Sequence, residues 1–130
     1  IRLLAYTGLR FGEMAALRVR RIDFLRRRLT IAEAVTEVGG RLEFGTPKTH
    51  QRRTVPLPAT LAESLARHCA GKQGDDLLMA TASGTVLRLR NWRRAVFDPA
   101  VRTAGLSDVT PHDLRHTAAS LAVASGATVK

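Results

Sequence analysis

Apolar side chains recur at the three- and four-residue spacing of an α-helix in five parts of the chain. The predicted helices are Ile1 to Tyr6, Arg10 to Arg18, Pro58 to Ala70, Asn91 to Ala104 and a last helix that begins at Thr110. Gly8, Gly71 and Gly105 follow three of them, where a residue without a side chain readily ends a helix. A proline after Asp98 predicts that the fourth helix restarts there, with Asp98 as its cap. Most of the chain is therefore expected to be helical.

Between the second and third helices the apolar period becomes that of a β-strand. Leu29 to Val38 is predicted as one strand, Gly39-Gly40 as a tight turn and Arg41 to Phe44 as the returning strand. Arg53 to Leu57 is a third strand, and Leu77 to Ala80 a short buried one. The pattern predicts an α+β fold, mainly α-helical, with a small antiparallel three-stranded sheet. With 130 residues, the chain is expected to form a single compact unit.

The stretch from Thr110 to His116 predicts a capped helix that presents two cationic groups side by side. Thr110 is predicted as the N-cap, Pro111 as the first helical residue and Asp113 as the partner in a capping box. His112 and Arg115 are three residues apart, so they are neighbours on the helix surface. An imidazole beside a guanidinium suits the binding and protonation of a phosphate.

Several apolar side chains are predicted to pack in the core because of their spacing within helices. Cys69 continues the series Leu61 and Leu65, and its solitary occurrence excludes a disulfide framework and indicates a reducing, intracellular setting. Tyr6 is expected to be a packed core residue. The remaining core predictions are Trp92, Val96 and the face formed by Leu114, Ala118, Leu121 and Ala122.

Charge gives the clearest indication of a partner. The chain has 21 Lys and Arg against 11 Asp and Glu, a net charge of +10. An excess of this size favours a polyanion, with nucleic acid first. An anionic membrane surface is the weaker interpretation, since no helix combines a basic face with a richly aromatic one, and a contribution to solubility alone is a further alternative.

The motifs argue against several kinds of chemistry. Four histidines, His50, His68, His112 and His116, lack carboxylates or cysteines at a metal-ligand spacing, so no metal site is expected. No phosphate-binding glycine loop or serine-hydrolase motif occurs, and no cofactor is expected. No apolar run is long enough for a membrane span or signal peptide.

What remains is a set of cations at places where they could act together. Arg10 begins a predicted helix, Arg115 lies beside His112, and Lys48 occupies a polar loop with Arg52 and Arg53 close behind. Together they suggest a phosphoryl-transfer site in which guanidinium groups stabilise the charge of the transition state.

Three blocks of this sequence resemble the catalytic domain of the tyrosine recombinases, the phage integrase family. They are Thr7 to Glu13, the loop from Thr46 to Thr49 leading into Arg53 to Leu57, and Pro111 to Thr117. The blocks occur in the family's order and the resemblance covers essentially the whole chain. It implies the tyrosine-recombinase catalytic-domain fold and site-specific DNA recombination or integration.

The resemblance also implies a role for each matching residue. Arg10 and Arg115 would clamp the non-bridging oxygens of the scissile phosphate, His112 would act in acid–base catalysis at the nucleophile, and Lys48 would protonate the 5′ leaving oxygen. Glu13 and His116 would support these residues. In the family a tyrosine attacks DNA to give a 3′-phosphotyrosine bond, a covalent intermediate that needs neither ATP nor a metal.

In the family, a further His or Trp and then the nucleophilic tyrosine follow the His-x-x-Arg block. Neither is found after that block in residues 1–130. The chain is thus expected to be a partial catalytic domain, without the N-terminal DNA-clamping domain and without cleavage activity. The whole protein would act in the cytoplasm on double-stranded DNA as a homotetramer, and the fragment would be a monomer.

Contacts to the DNA backbone are expected to make binding salt-sensitive. The candidate residues are Lys48, Arg52, Arg53, Arg90, Arg93 and Arg94. Two alternatives stay open: a degenerate recombinase remnant that binds DNA without chemistry, and a type IB topoisomerase-like enzyme.

Overall fold

The computed structural model describes residues 1–47 and 52–124. Its helices are α1 (Arg2–Thr7), α2 (Phe11–Ala16), α3 (Ala59–His68), α4 (Leu89–Trp92), α5 (Asp98–Thr103) and α6 (Asp113–Ala124). Its strands are β1 (Ile22–Asp23), β2 (Arg28–Ile31), β3 (Ala34–Val38), β4 (Arg41–Gly45) and β5 (Arg53–Pro56). Helices with small antiparallel sheets confirm the predicted fold class.

The chain divides into two compact units, where one was expected. The first contains Ile1–Phe11 and the described residues from Leu87 onward, and the second is Gly12–Val86. Local sequence patterns specify helices and strands but not which distant segments pack together. A unit formed by both ends of the described chain therefore cannot be predicted from local sequence patterns.

The second unit contains both sheets, and their pairing corrects the predicted arrangement. Among the residues that the structure describes, β2 lies between β1 and β5, antiparallel to each, whereas β3 pairs with β4 through the Gly39-Gly40 turn. The strand predicted from Leu29 to Val38 is thus two strands in different sheets, separated at residues 32–33. Alternating apolar residues indicate extended backbone but do not identify the neighbouring strand.

Two further elements of this unit are shorter than predicted. Leu77 forms one isolated antiparallel bridge with Arg18 rather than starting a strand. Because Arg18 is extended at that bridge, α2 ends at Ala16 instead of continuing to Arg18. The third predicted helix agrees better, since Leu61, Leu65 and Cys69 are all buried as expected. Burial raises the pKa of the Cys69 thiol.

Gly12, near the start of α2, lies against the backbone of Val35 in β3. A Cβ atom at this position would overlap the carbonyl oxygen of Val35. We therefore expect Gly12→Ala to lower the free energy of unfolding by about 1–3 kcal/mol, because the backbone must shift to relieve the overlap. Gly45→Ala is the matched control, since its added methyl meets nothing within 4 Å. Urea unfolding of both variants checks this, and equal stabilities would contradict the packing argument.

In the first unit, α1 packs against α6. Leu3, Leu4 and Leu9 are buried. Gly8 ends α1 with a φ of 73° and donates its N–H to the Leu4 carbonyl, as predicted for a helix terminus. Its position allows close approach to α6, because a Cβ at Gly8 would lie 3.4 Å from that of Ala118.

Trp92 is buried as predicted, but two other core predictions were wrong. The indole stacks on Phe97 with ring centroids 5.4 Å apart and lies 5.3 Å from the ring of Phe11. Tyr6 is 45% exposed and Val96 46% exposed. In the six-residue α1, Leu3 and Leu4 provide the buried face. Val96 lies in a widened π turn, Arg93–Phe97, which does not follow the α-helical period.

The segment from Leu89 to Thr103 is one continuous helical stretch with a widened π turn at Arg93–Phe97. Asp98 donates its backbone N–H to the Arg93 carbonyl, five residues back, and keeps helical angles instead of capping a restarted helix. Pro99 has no N–H to give to the ladder, and a π turn accommodates such an interruption.

The last helix, α6, begins at Asp113, two residues after Pro111, which was predicted as its first helical residue with Thr110 as the N-cap. Thr110, Pro111 and His112 accept i→i+3 bonds from the N–H groups of residues 113–115, a tight turn that leads into the helix. Its predicted core face is only partly covered, because Leu114 and Ala118 are half-buried whereas Leu121 is 44% exposed. The expectation that Leu121 and Ala122 are core residues was therefore wrong. Among the described residues, no helix is long and apolar enough to cross a membrane.

Candidate active site

A cleft of about 320 Å³ opens within the first unit. Three of the four side chains predicted to be catalytic, Arg10, His112 and Arg115, line it. Its apolar lining comes from Leu4, Leu9, Phe11 and Leu89, and its remaining lining residues are Arg93, Thr110 and Pro111. The cleft thus combines a cationic set with a low-dielectric wall, the environment in which electrostatic interactions are strongest.

Local structure places each cationic side chain at the cleft. Arg10 lies between the buried Leu9 and the start of α2, so the turn after α1 determines its position. Arg115 is in the first turn of α6, where it is half-buried, and His112 lies in the tight turn just before that helix and is exposed. Arg10 is therefore brought to one cleft with His112 and Arg115, which lie about a hundred positions further along the chain.

The turn that carries His112 is fixed by a reciprocal interaction between Thr110 and Asp113. The Asp113 carboxylate accepts the Thr110 backbone N–H at 2.7 Å and the Thr110 hydroxyl at 3.0 Å. The predicted capping box is thus formed in part, with the hydroxyl donating to the carboxylate rather than accepting from the helix. The same hydrogen bonds, first from the N–H and then from the hydroxyl, hold the pKa of Asp113 below its ordinary value of 3.8.

This depressed pKa gives a test by pH. A carboxylate with a lowered pKa in the folded state contributes stability above its ordinary value, and that contribution is lost as the pH falls through the lower folded value. We expect the wild-type chain to be more stable than Asp113→Asn near neutral pH, and this advantage to shrink as the pH falls below 3.8. Urea unfolding at a series of pH values measures the difference. A constant difference from about pH 6 to about pH 3 would exclude the carboxylate as its source.

His116, predicted as a supporting residue, contacts His112 from one helical turn further along. The two rings meet edge to face, with centroids 5.4 Å apart and planes at 88°. Edge-to-face contact is one of the arrangements that ring pairs prefer. This contact gives His116 a direct means of orienting His112.

Glu13, the other supporting residue, is part of a buried ion pair within the second unit. Its two carboxylate oxygens accept hydrogen bonds from Arg53 at 2.6 and 2.9 Å, a bidentate arrangement. The Glu13 side chain is 1% exposed and that of Arg53 32% exposed. The pair joins α2 to β5, the strand that follows the undescribed residues 48–51.

Of the other site residues predicted from sequence that the structure describes, only Arg93 lines the cleft. Lys48 lies outside the described residues, as does His50. Arg52, Arg90 and Arg94 are exposed. Arg93 is the residue whose place was missed, because sequence grouped it with Arg90 and Arg94 whereas the structure places it in the cleft. The available signal was its position directly after Trp92, an aromatic residue predicted to be buried.

In residues 1–47 and 52–124, no group of three or more His, Cys, Asp or Glu side chains is arranged to hold a metal ion. His112 and His116 come together as a pair without a carboxylate or cysteine to complete a coordination sphere. The charged and titratable side chains that line the described cleft are guanidinium and imidazole groups, which bind anions and transfer protons.

The model of the phage integrase family matches residues 1–130, the whole chain. An integrase of Mycobacterium phage D29 is 32% identical over 136 residues, which cover 98% of this chain and 36% of that protein. A tyrosine recombinase XerC of Staphylococcus aureus is 29% identical over 135 residues, which cover 100% of this chain and 41% of that protein. The chain thus spans about two fifths of the curated relatives it matches.

Solved structures share the fold. A variant of the Tn1549 transposon integrase, in complex with transposon right end DNA, superposes with a TM-score of 0.83 at 20% identity, covering 98% of this chain and 46% of that one. XerA recombinase gives a TM-score of 0.74 at 24% identity, with 97% and 43% covered. These likenesses confirm the predicted catalytic-domain fold.

Proposed function

This chain belongs to the phage integrase family, and from that premise we propose that it forms the phosphate-binding part of a tyrosine-type site-specific DNA recombinase. The observation that carries the proposal is the cleft in which Arg10, His112 and Arg115 meet. A net charge of +10 supports duplex DNA as the partner. The Tn1549 integrase structures, solved with DNA, make the same partner reasonable for this chain.

In the proposed reaction the two arginines bind the non-bridging oxygens of the scissile phosphate. Guanidinium groups keep their charge at any physiological pH and present planar donors that match phosphate oxygens. Their effect on the rate arises because negative charge on these oxygens increases in the transition state, where positioned donors act most strongly. The apolar wall of the cleft strengthens this interaction by excluding water.

The strand exchange requires a nucleophile and two proton transfers. We propose that a tyrosine of the full-length protein, outside these 130 residues, attacks the phosphorus through its phenolic oxygen while His112 accepts the phenolic proton. A 3′-phosphotyrosine bond forms as the bond to the 5′ oxygen breaks, and Lys48 protonates that oxygen. Tyr6 is not among the described residues that line the cleft. The chain alone should therefore bind DNA without cleaving it.

Binding by the 130-residue chain gives the first test. Each phosphate neutralised by Lys or Arg contributes about −0.9 to the slope of log affinity against log salt concentration. We expect several such contacts, and hence a steep slope, when a labelled DNA duplex is titrated by fluorescence anisotropy. The exposed Arg52, Arg90 and Arg94 are the proposed backbone contacts, with Lys48 and Arg53. A flat salt dependence would remove the electrostatic basis of the proposal.

Covalent chemistry by the full-length protein gives the decisive test. The protein is incubated with sheared DNA from its source genome and denatured, and protein-linked fragments are recovered. A 3′ link through tyrosine with a free 5′-hydroxyl on the other strand end supports recombinase chemistry. DNA binding with a steep salt dependence, but without any covalent adduct, would instead assign the alternative function of a degenerate remnant that binds DNA without chemistry. With a supercoiled plasmid as a second substrate, relaxation of supercoils without exchange between paired DNA sites would assign the topoisomerase-like function.

A further inference from the structure

Arg93 lines the same cleft as Arg10 and Arg115 but comes from a different part of the unit, the π turn after α4. It is half-buried, whereas its sequence neighbours Arg90 and Arg94 are exposed and do not line the cleft. Of the described residues that line the cleft, none is acidic. A third guanidinium therefore faces a space that already favours anions.

Asp98 holds this guanidinium from the side. Its carboxylate oxygen lies 3.5 Å from a terminal nitrogen of Arg93, and each side chain is 40% exposed. In a regular α-helix, residues five apart point about 140° away from each other and cannot pair. The π turn reduces this offset, because a turn closed by the i→i+5 bond from the Asp98 N–H to the Arg93 carbonyl contains more residues, which brings the two side chains towards the same side of the helix.

We propose that Arg93 is a third arginine ligand for DNA phosphate in this cleft, and that Asp98 holds its guanidinium until a phosphate takes the place of the carboxylate. The inference rests on the proposed function and assigns to the same cleft one more phosphate contact than the two clamping arginines make. An ion pair this exposed is weak, so the exchange costs little. A DNA phosphate in the cleft can accept two parallel hydrogen bonds from the guanidinium, whereas the contact with the Asp98 carboxylate is a single one at 3.5 Å.

The first experiment measures how many phosphate contacts are lost with Arg93. The chain is titrated with a labelled DNA duplex at several salt concentrations, as wild type, Arg93→Gln and Arg102→Gln. Arg102 is an exposed arginine of α5 that does not line the cleft, so its variant removes the same charge from the same unit. We expect the slope of log affinity against log salt concentration to become less steep by about 0.9 for Arg93→Gln and to stay unchanged for Arg102→Gln.

The second experiment tests the role of Asp98 and does not depend on Arg93→Gln folding well. Asp98→Asn should raise DNA affinity up to about fivefold, the largest effect expected from releasing an exposed ion pair. Asp108→Asn, an exposed position in the same unit, removes the same charge and should raise affinity less. In an Arg93→Gln background the gain from Asp98→Asn should fall to that of Asp108→Asn, because the arginine to be released is absent.

The outcomes separate this inference from the proposed function. If the wild-type chain binds DNA with a steep salt dependence but Arg93→Gln and Arg102→Gln behave alike, Arg93 is not a phosphate ligand and the proposed function stands. Equal gains from Asp98→Asn and Asp108→Asn would likewise overturn the role of Asp98. If the wild-type chain does not bind DNA, the proposed function fails and the inference fails with it.

Discussion

Replacing Arg115 by alanine in the full-length protein is expected to slow formation of the covalent DNA adduct by at least about 10²–10³-fold, the loss typical of removing one positioned donor from a charge-stabilising site. Arg115 lines the cleft from the first turn of α6, three residues from His112. Because its proposed partner oxygens gain charge only as the reaction proceeds, the rate should fall far more than the affinity for DNA. The measurement is the single-turnover rate of adduct formation at saturating DNA.

Two variants make this result specific to the guanidinium. Arg115→Lys keeps the charge but loses the planar pair of donors, so it should recover only part of the rate. Arg102→Ala removes a guanidinium from an exposed site on α5 and should leave the rate near that of the wild type. A rate for Arg115→Ala within a few-fold of the wild type would remove Arg115 from the proposed mechanism.

Arg53→Gln is expected to cause the largest loss of stability, about 3 kcal/mol, near the low end for breaking a buried ion pair. The substitution removes both guanidinium hydrogen bonds, and their countercharge, from a Glu13 carboxylate that is 1% exposed. Glu13→Gln should cost less, because the remaining guanidinium is 32% exposed and water reaches it. Urea unfolding of the chain measures each free energy by linear extrapolation.

The ion pair of Arg20 with Asp75 is the surface control in the same unit, with side chains 48% and 79% exposed. Arg20→Gln should change stability by at most about 1 kcal/mol. The double variant of Glu13 and Arg53 should lose less than the sum of the two single variants, since each single change already disrupts the pair. If Arg53→Gln and Arg20→Gln lower the free energy of unfolding by the same small amount, the buried ion pair contributes no more stability than a surface one.

Sequence predicted best what local chemistry determines. The left-handed glycine after α1, the buried face of α3 that ends at Cys69 and the Thr110–Asp113 interaction each depend on residues within one or two turns. The family resemblance went further, because its three blocks identified Arg10, His112 and Arg115 before any contact between them was known. Their common cleft is consistent with that choice, and their catalytic roles stay predictions.

What sequence missed depends on distant contacts or on departures from regular geometry. Leu29 to Val38 alternates like one strand, but only the position of β5 shows that β2 belongs to another sheet than β3. Tyr6 lies in too short a helix for its apolar period to define a buried side. Arg93 and Asp98 are not neighbours at α-helical spacing, so the π turn that pairs them could not be read from the pattern.

The discontinuous first unit also determines the order in which this chain can fold during synthesis. Gly8 and Ala118, which approach each other where α1 packs on α6, are more than a hundred positions apart. The second unit, Gly12–Val86, is a continuous segment and leaves the ribosome complete before α6 has been made. The cleft lined by Arg10, His112 and Arg115 can therefore assemble only after α6 has emerged, so a nascent chain carries its basic residues before the cleft that gathers several of them has formed.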